Sequence, residues 1–209
     1  MYALDIRMGR EVAETGLWKR CPVAERIWRS KPLIRVAQTL LRHNQIRLWQ
    51  DQVIIKRARQ GTLTDWHQDA PYWPMHETTA LTCWIPLTHV DEASGGLRFV
   101  RSSHLLAINS QMLPIQLGSL PWKAADINGI NGQGDLLQSV SLAPGDCTFH
   151  SGLVVHGANP NRSDRARLAY KFVYMPDGTT FRFQWHSATE GLQLRDGDRI
   201  AGPGFPFVS

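Results

Sequence analysis

The sequence has no apolar run long enough to cross a bilayer as a helix. Met1 to Arg20 carries charges throughout and lacks the apolar stretch of a signal peptide. Cysteine is scarce: three among 209 residues, Cys21, Cys83 and Cys147, odd in number and far apart along the chain. That excludes a disulfide framework or a cysteine-built zinc site. It fits a reducing compartment, so a cytoplasmic protein is expected. There is no internal repeat, no low-complexity tract and no linker, which excludes a solenoid or a string of modules. The formal net charge is +5, yet Lys and Arg are scattered and form no stripe interleaved with aromatics. Neither nucleic acid nor a membrane is expected as partner. What remains is an ordinary soluble composition, 43% hydrophobic and 20% charged, in a chain long enough for one domain with a substantial core.

The first forty or so residues read as helical. Val23 to Trp28 and Leu33 to Leu41 show helical apolar spacing, with Pro22 and Pro32 suited to the first turn of a helix. From Ile46 the period changes to two. Ile46 to Ala58 alternates as a strand with Gln50, Gln52, Ile54 and Lys56 on one face. Thr78 to Thr88, Leu97 to Val100, Cys147 to His150, Leu153 to His156 and Arg165 to Met175 read as further strands, separated by Gly, Ser and Pro turns. In the last of these, Leu168, Tyr170, Phe172 and Tyr174 take one face; Arg165, Arg167, Ala169 and Lys171 take the other. Met112 to Leu142 is less regular and reads as a loop insertion near a binding mouth. Helices followed by many short strands predict an α+β, mainly β fold of antiparallel sandwich or jelly-roll type. Residues 1–209 are read as one domain, with a helical part to about residue 44 and a β core over about 45–180.

His67 and Asp69 stand one residue apart in Trp66-His67-Gln68-Asp69. On a strand, residues i and i+2 point to the same face, so this imidazole and carboxylate can reach one metal ion. His156, from a distant segment, would add a second imidazole. Two histidines and one carboxylate on one side of a metal leave open positions, the usual mark of non-haem Fe(II) oxygenases. Any single histidine of the eight is more often a surface or core residue, and a lone His-x-Asp is weak. The weight falls on joint order: His-x-Asp, then a His-Gly some ninety residues later, then Arg167 eleven beyond it.

Several stretches share the order and spacing of one family. They are Trp49-Gln50-Asp51-Gln52, Trp66 to Pro74, Trp84-Ile85-Pro86-Leu87, Ser103-His104, Pro144-Gly145-Asp146 and His156 to Ser163. From about Leu48 onward the chain resembles the phytanoyl-CoA dioxygenase family of Fe(II)/2-oxoglutarate-dependent oxygenases. The resemblance implies a double-stranded β-helix, a cupin-like jelly roll, with the N-terminal helices packed outside. It implies that His67, Asp69 and His156 hold Fe(II). Arg167 would grip the distal carboxylate of 2-oxoglutarate, since a guanidinium offers paired N–H donors and stays charged. Arg165, two residues away on the same face, is its rival. Thr82 resembles the hydroxyl partner of that carboxylate, and Trp84 a residue flanking the cosubstrate. Lys56 and Gln52 either look into the barrel near the cosubstrate or belong to a solvated strand face. Three positions depart from the family pattern: Arg101-Ser102 replaces Pro-Gly before the Ser-His, Ala158 replaces a small hydroxyl residue, and the N-terminal part is short.

The implied reaction uses Fe(II), 2-oxoglutarate and O2 to hydroxylate a C–H bond of a small organic molecule, releasing succinate and CO2. Related halogenases lack the carboxylate ligand; Asp69 therefore favours hydroxylation or another oxidation. Trp66, Tyr72 and Trp73 cluster beside the first ligand, where Tyr72 and Trp73 either wall the substrate pocket or belong to core. Arg98, Arg101 and the positive balance point to an anionic substrate. Other readings stay open: a demethylase acting on a macromolecule, a non-oxidative cupin-like metalloenzyme, and a non-catalytic binding protein. No sequence feature speaks to oligomeric state.

Overall fold

A computed structural model describes residues 11–59, 62–105 and 136–208, with side-chain detail from residue 15. Ten strands and two α-helices appear among them: β1 (Glu11–Thr15), α1 (Pro22–Trp28), α2 (Lys31–Leu41), β2 (Ile46–Lys56), β3 (Thr64–His67), β4 (Leu81–Pro86), β5 (Leu97–Val100), β6 (Leu137–Ser139), β7 (Thr148–Ser151), β8 (His156–Ala158), β9 (Arg167–Pro176) and β10 (Phe207–Val208). They form two antiparallel sheets. The larger runs β1-β2-β9-β4-β7 with β10 also on β2; the smaller runs β3-β8-β5-β6. The chain is thus mainly β with two helices, as the change of period at Ile46 predicts.

The helices start where proline allows. Pro22 and Pro32 sit in the first turn, where the missing N–H is no loss. Helix α2 stops at Arg42, whose φ of 56 is left-handed, while the His43 N–H returns to the Gln38 carbonyl. One expectation fails upstream. Residues 11–15 are a strand paired with β2, and Leu17–Lys19 is a single 3-10 turn, so this segment is not part of a helical N-terminus. Val12 and Ala13 carry too short a pattern to reveal pairing with a strand forty residues away. Of the irregular stretch from Met112, residues up to 135 lie outside the described part; Leu137–Ser139 is strand β6.

The cross-strand register assigns the two faces of the larger sheet. Gln52, Lys171, Trp84 and Thr148 lie on one rung; Val173, Thr82 and His150 lie on another, with Gln50 opposite Val173. Lys56 pairs with Arg167 at one end. Directly paired residues share a face, so these side chains form one surface. The opposite surface carries Leu81, Cys83, Tyr170, Phe172 and Tyr174, which pack with Ala24, Trp28, Ile34 and Ala37 of the helices. Burying each large side chain there contributes on the order of 1.5–3 kcal/mol. A bulge after Leu48 returns β2 to register, so Leu48 joins the helix-facing core and Gln50 the other side.

The first face looks at the smaller sheet. Trp84 and Ala169 of the larger sheet pack with Leu97 and Ala158 of the smaller. Within the smaller sheet, His67 pairs with His156 and His156 with Phe99. Three imidazoles therefore meet between the sheets: the ring of His156 lies 4.3 Å from that of His67 and 4.6 Å from that of His150.

Candidate metal centre

His67 ends β3, but Asp69 is not on the strand. Its backbone is helical (φ −74, ψ −38), and it opens the 3-10 turn Ala70–Tyr72. The pair does converge, but strand alternation is not what brings it together. A long-range contact turns the chain: the Ala70 N–H donates to the carbonyl of Gly152, 2.9 Å away. Gly152 lies so close to Trp73 that a Cβ there would stand 2.4 Å from the indole. Pro71 stiffens the same turn.

The three candidate ligand atoms, one each from His67, Asp69 and His156, lie within 4.8 Å of one another. Asp69 Oδ1 is 3.6 Å from His67 Nε2 and 3.9 Å from His156 Nε2. Neighbouring ligands around an ion with bonds of about 2.1 Å stand about 3 Å apart, so modest contraction closes the site. Both rings are oriented through their other nitrogen. His67 Nδ1 lies 2.7 Å from the Asp65 carbonyl and His156 Nδ1 2.9 Å from the Val154 carbonyl. A carbonyl only accepts, so each Nδ1 carries the proton and each Nε2 offers a lone pair to the centre. Thr82 donates to Asp69 Oδ2 at 3.0 Å, leaving Oδ1 turned inward.

Behind His156, the Ser-His motif has a visible role. Ser103 is fully buried; its hydroxyl donates to the Val100 carbonyl and accepts from the Val155 N–H at 2.7 Å. It thus ties the end of β5 to the residue preceding His156. Asn161 does similar work one loop later, donating to the carbonyls of Lys56 and Arg165.

Electrostatics suit a cation. Burial alone would push Asp69 up, but Lys171, His156 and His67 hold it well below the usual carboxylate range. Burial pushes His156 well down, and His150 down to about 4, so both are neutral near pH 7. His150 Nε2 is 3.8 Å from Asp69 Oδ2, and neither of its nitrogens has a hydrogen-bond partner among the described residues. Lys171 Nζ is 4.0 Å from Asp69 Oδ1.

The other expected site residues fall in several places. Arg167 is buried at 2% exposure, with its guanidinium 5.6 Å from the Trp84 ring; Arg165 is exposed and precedes the strand. Trp84 is equally buried, and its indole N–H has no partner among the described residues. Gln52 is half-buried on the rung of Lys171 and Trp84. Lys56 is fully buried, but its ammonium donates to Thr62 O, Thr64 Oγ1 and Asn159 O within 3.0 Å, so it clamps loops. Thr82 sits at Asp69 instead of beside Arg167, which is six residues, about 20 Å of strand, from Thr82's partner Val173. Trp73 is 3% exposed in a core with Trp49, Met75 and Phe205, not on a pocket wall. Tyr72 is 40% exposed and meets the His67 ring edge-on at 6.3 Å. Arg98 pairs with Gly157 across the smaller sheet, on the face away from His156, and lies over Trp66; Arg101 is exposed. Two residues of the centre, His150 and Lys171, go unassigned when the sequence is read by motif. For Lys171 the signal is the alternation itself, which puts it on the face of Arg167.

Comparison with known proteins decides the family. The model of the phytanoyl-CoA dioxygenase (PhyH) family matches residues 9–169. The chain belongs to the phytanoyl-CoA dioxygenase family. A Caenorhabditis elegans protein named "Probable phytanoyl-CoA dioxygenase" is 27% identical over 134 residues, which span 60% of this chain but 41% of that protein. Among solved structures, the non-haem alpha-ketoglutarate-dependent carbocyclase SnoK from nogalamycin biosynthesis matches with a TM-score of 0.79 at 25% identity, over 96% of this chain and 76% of its own. The epimerase SnoN, in complex with Fe3+, alpha-ketoglutarate and nogalamycin RO, matches at 0.75 and 26% identity, over 100% and 82%. EctD from S. alaskensis, with 2-oxoglutarate and 5-hydroxyectoine, shares the fold at 0.72 and 21% identity, over 90% and 65%. The family's two curled antiparallel sheets are therefore jelly-roll-like, as expected. Among the described residues, no helix is long and apolar enough to cross a membrane.

Proposed function

We propose that this chain is an Fe(II)- and 2-oxoglutarate-dependent oxygenase that hydroxylates a C–H bond of a small organic molecule, with release of succinate and CO2. The observation that carries it is the trio His67, Asp69 and His156: three ligand atoms within 4.8 Å, both imidazoles pinned by Nδ1 to backbone carbonyls. Two imidazoles and one carboxylate suit Fe(II) and leave positions for further ligands. The indole N–H of Trp84, between the metal centre and Arg167 and without a partner among the described residues, also suits a bound oxyanion.

When bound, iron supplies O2 activation coupled to decarboxylation of the keto acid. The chain's residues do the rest. Thr82 holds Asp69 Oδ2 and so aims Oδ1. Arg167 binds the distal carboxylate of 2-oxoglutarate, and Trp84 flanks its carbon chain. Neutral His150 and Phe99 exclude water behind His156. His67, with 22% of its side chain exposed against 6% for His156, marks the open side from which substrate enters past Tyr72.

Anaerobic addition of Fe(II) and 2-oxoglutarate should produce the weak visible charge-transfer band of the chelate. Asp69→Ala should lose that band and all 2-oxoglutarate-dependent succinate release; a fully active variant overturns the assignment. A second reading has specific support. SnoK and SnoN, at 25–26% identity, are named a carbocyclase and an epimerase. The same site would then rearrange its substrate without adding oxygen, and product mass separates the two outcomes.

A further inference from the structure

Lys171 projects from the inner face of β9, on the rung it shares with Gln52 and Trp84. Its ammonium lies 4.0 Å from Asp69 Oδ1, the oxygen that also faces both Nε2 atoms. A fixed cation thus stands next to the place where a divalent ion would bind. Without metal the arrangement is balanced, because Asp69 and Lys171 cancel. A divalent ion raises the local charge to +2. The chelating carboxylate of 2-oxoglutarate lowers it to +1, its other carboxylate being taken by Arg167. One positive charge then remains among groups that are largely buried: side chains of Asp69 and Lys171 are 8% and 19% exposed. Uncompensated charge in such surroundings is costly, which favours a further anion.

Resting on the oxygenase reading above, we propose that Lys171 determines substrate class: the organic substrate carries a carboxylate or similar anionic group that pairs with Nζ once the metal has taken Asp69. Arg98 and Arg101 do not compete for this role, the one facing away from His156 and the other exposed. The same ammonium weakens metal affinity until an anion joins it.

The first test uses Co(II) alone, titrated calorimetrically into metal-free protein. Lys171→Ala should bind Co(II) about tenfold more tightly, because a like charge has left the metal's neighbourhood. Lys171→Arg should stay within about threefold of wild type. A structural role for Lys171 would weaken binding in the alanine variant, and that result, or no change, overturns the proposal. The second test follows the Fe(II)·2-oxoglutarate band anaerobically while propionate or propionamide is added. Propionate should shift the band in wild type and Lys171→Arg. Propionamide should not, and Lys171→Ala should need at least about tenfold more propionate. Equal responses to acid and amide, equal responses of wild type and Lys171→Ala, or no response of wild type overturns it. Absence of the band in wild type instead sinks the oxygenase reading, and the Co(II) titration then decides the placement of Lys171 by itself.

Discussion

The two faces of β9 are built from alternate residues of one strand and differ in almost everything else. Toward the helices, Tyr170, Phe172 and Tyr174 pack with Trp28, Ile34 and Ala37. Toward the smaller sheet, Arg167, Ala169, Lys171 and Val173 share a surface with Thr82, Trp84 and His150. Both faces are buried, so burial does not separate them. What differs is which polar groups each face gathers. The helix side carries one carboxylate, Asp51, capped by the Tyr170 hydroxyl at 2.7 Å and the Trp18 N–H at 2.8 Å. Burial raises its pKa even so. The inner side keeps buried donors without protein partners among the described residues, at Trp84 and His150. Buried atoms without such partners occur on the helix side too, at Trp28 Nε1 and Asp51 Oδ1; what sets the inner side apart is that its polar groups lie around the point where His67, Asp69 and His156 converge.

Substitutions should therefore damage the faces in different ways. Phe172→Ala empties a fully buried site on the helix side and should cost about 3–5 kcal/mol. That corresponds to a fall in Tm of roughly 10 °C for a chain of this size. Its folded fraction should still bind Co(II) within about threefold of wild type. Arg167→Ala should do the reverse: the apparent requirement for 2-oxoglutarate should rise about a hundredfold, as when a buried charge loses its partner, with Co(II) affinity little changed. If Arg165→Ala produces that rise instead, the guanidinium is misassigned. A smaller effect is expected behind His156, in the smaller sheet. Ser103→Ala removes a buried hydroxyl that bridges Val100 and Val155, and should lower unfolding free energy by about 1–2 kcal/mol in urea.

The contrast between the faces also explains what is legible in the sequence. Period-two alternation in β9, and in β2 from Gln50 onward, assigns both faces correctly, because a buried strand must separate its two environments wherever they differ; the bulge after Leu48, which breaks the alternation, leaves no mark in the pattern. The same rule places Lys171 beside Arg167 without giving it a role, because its distance to Asp69 depends on pairing across three strands. Strand ends are harder. Alternation continues past the point where pairing stops, so Arg165 looks equivalent to Arg167, and His67-x-Asp69 looks like strand although Gly152 turns the chain between them. Trp73 is ambiguous for a related reason. An aromatic residue beside a ligand fills core or pocket according to what packs on it, here Trp49, Met75 and Phe205. Arg98 faces away from the centre because β5 pairs Phe99, not Arg98, with His156.

Acid should distinguish the faces by the smallest effect. The groups whose burial depresses an imidazole are His150 and His156 on the inner side and His186 near Lys171, with His150 and His186 pushed down to about 4. Each is neutral in the folded chain and titrates near 6.5 when unfolded. Below pH 6.5 the unfolded state takes up protons that the folded state refuses, so stability is fully present above that pH and falls as pH drops toward 4. Between pH 7 and 6 each such histidine should remove somewhat under about 1 kcal/mol of unfolding free energy in metal-free protein. His186→Asn should flatten the slope by one histidine's share. Phe172→Leu, on the face where no histidine lies among the paired residues of β2, β4, β7 and β9, should shift the whole curve down and leave its slope alone. Parallel curves for both variants would mean that His186 carries no proton-linked strain.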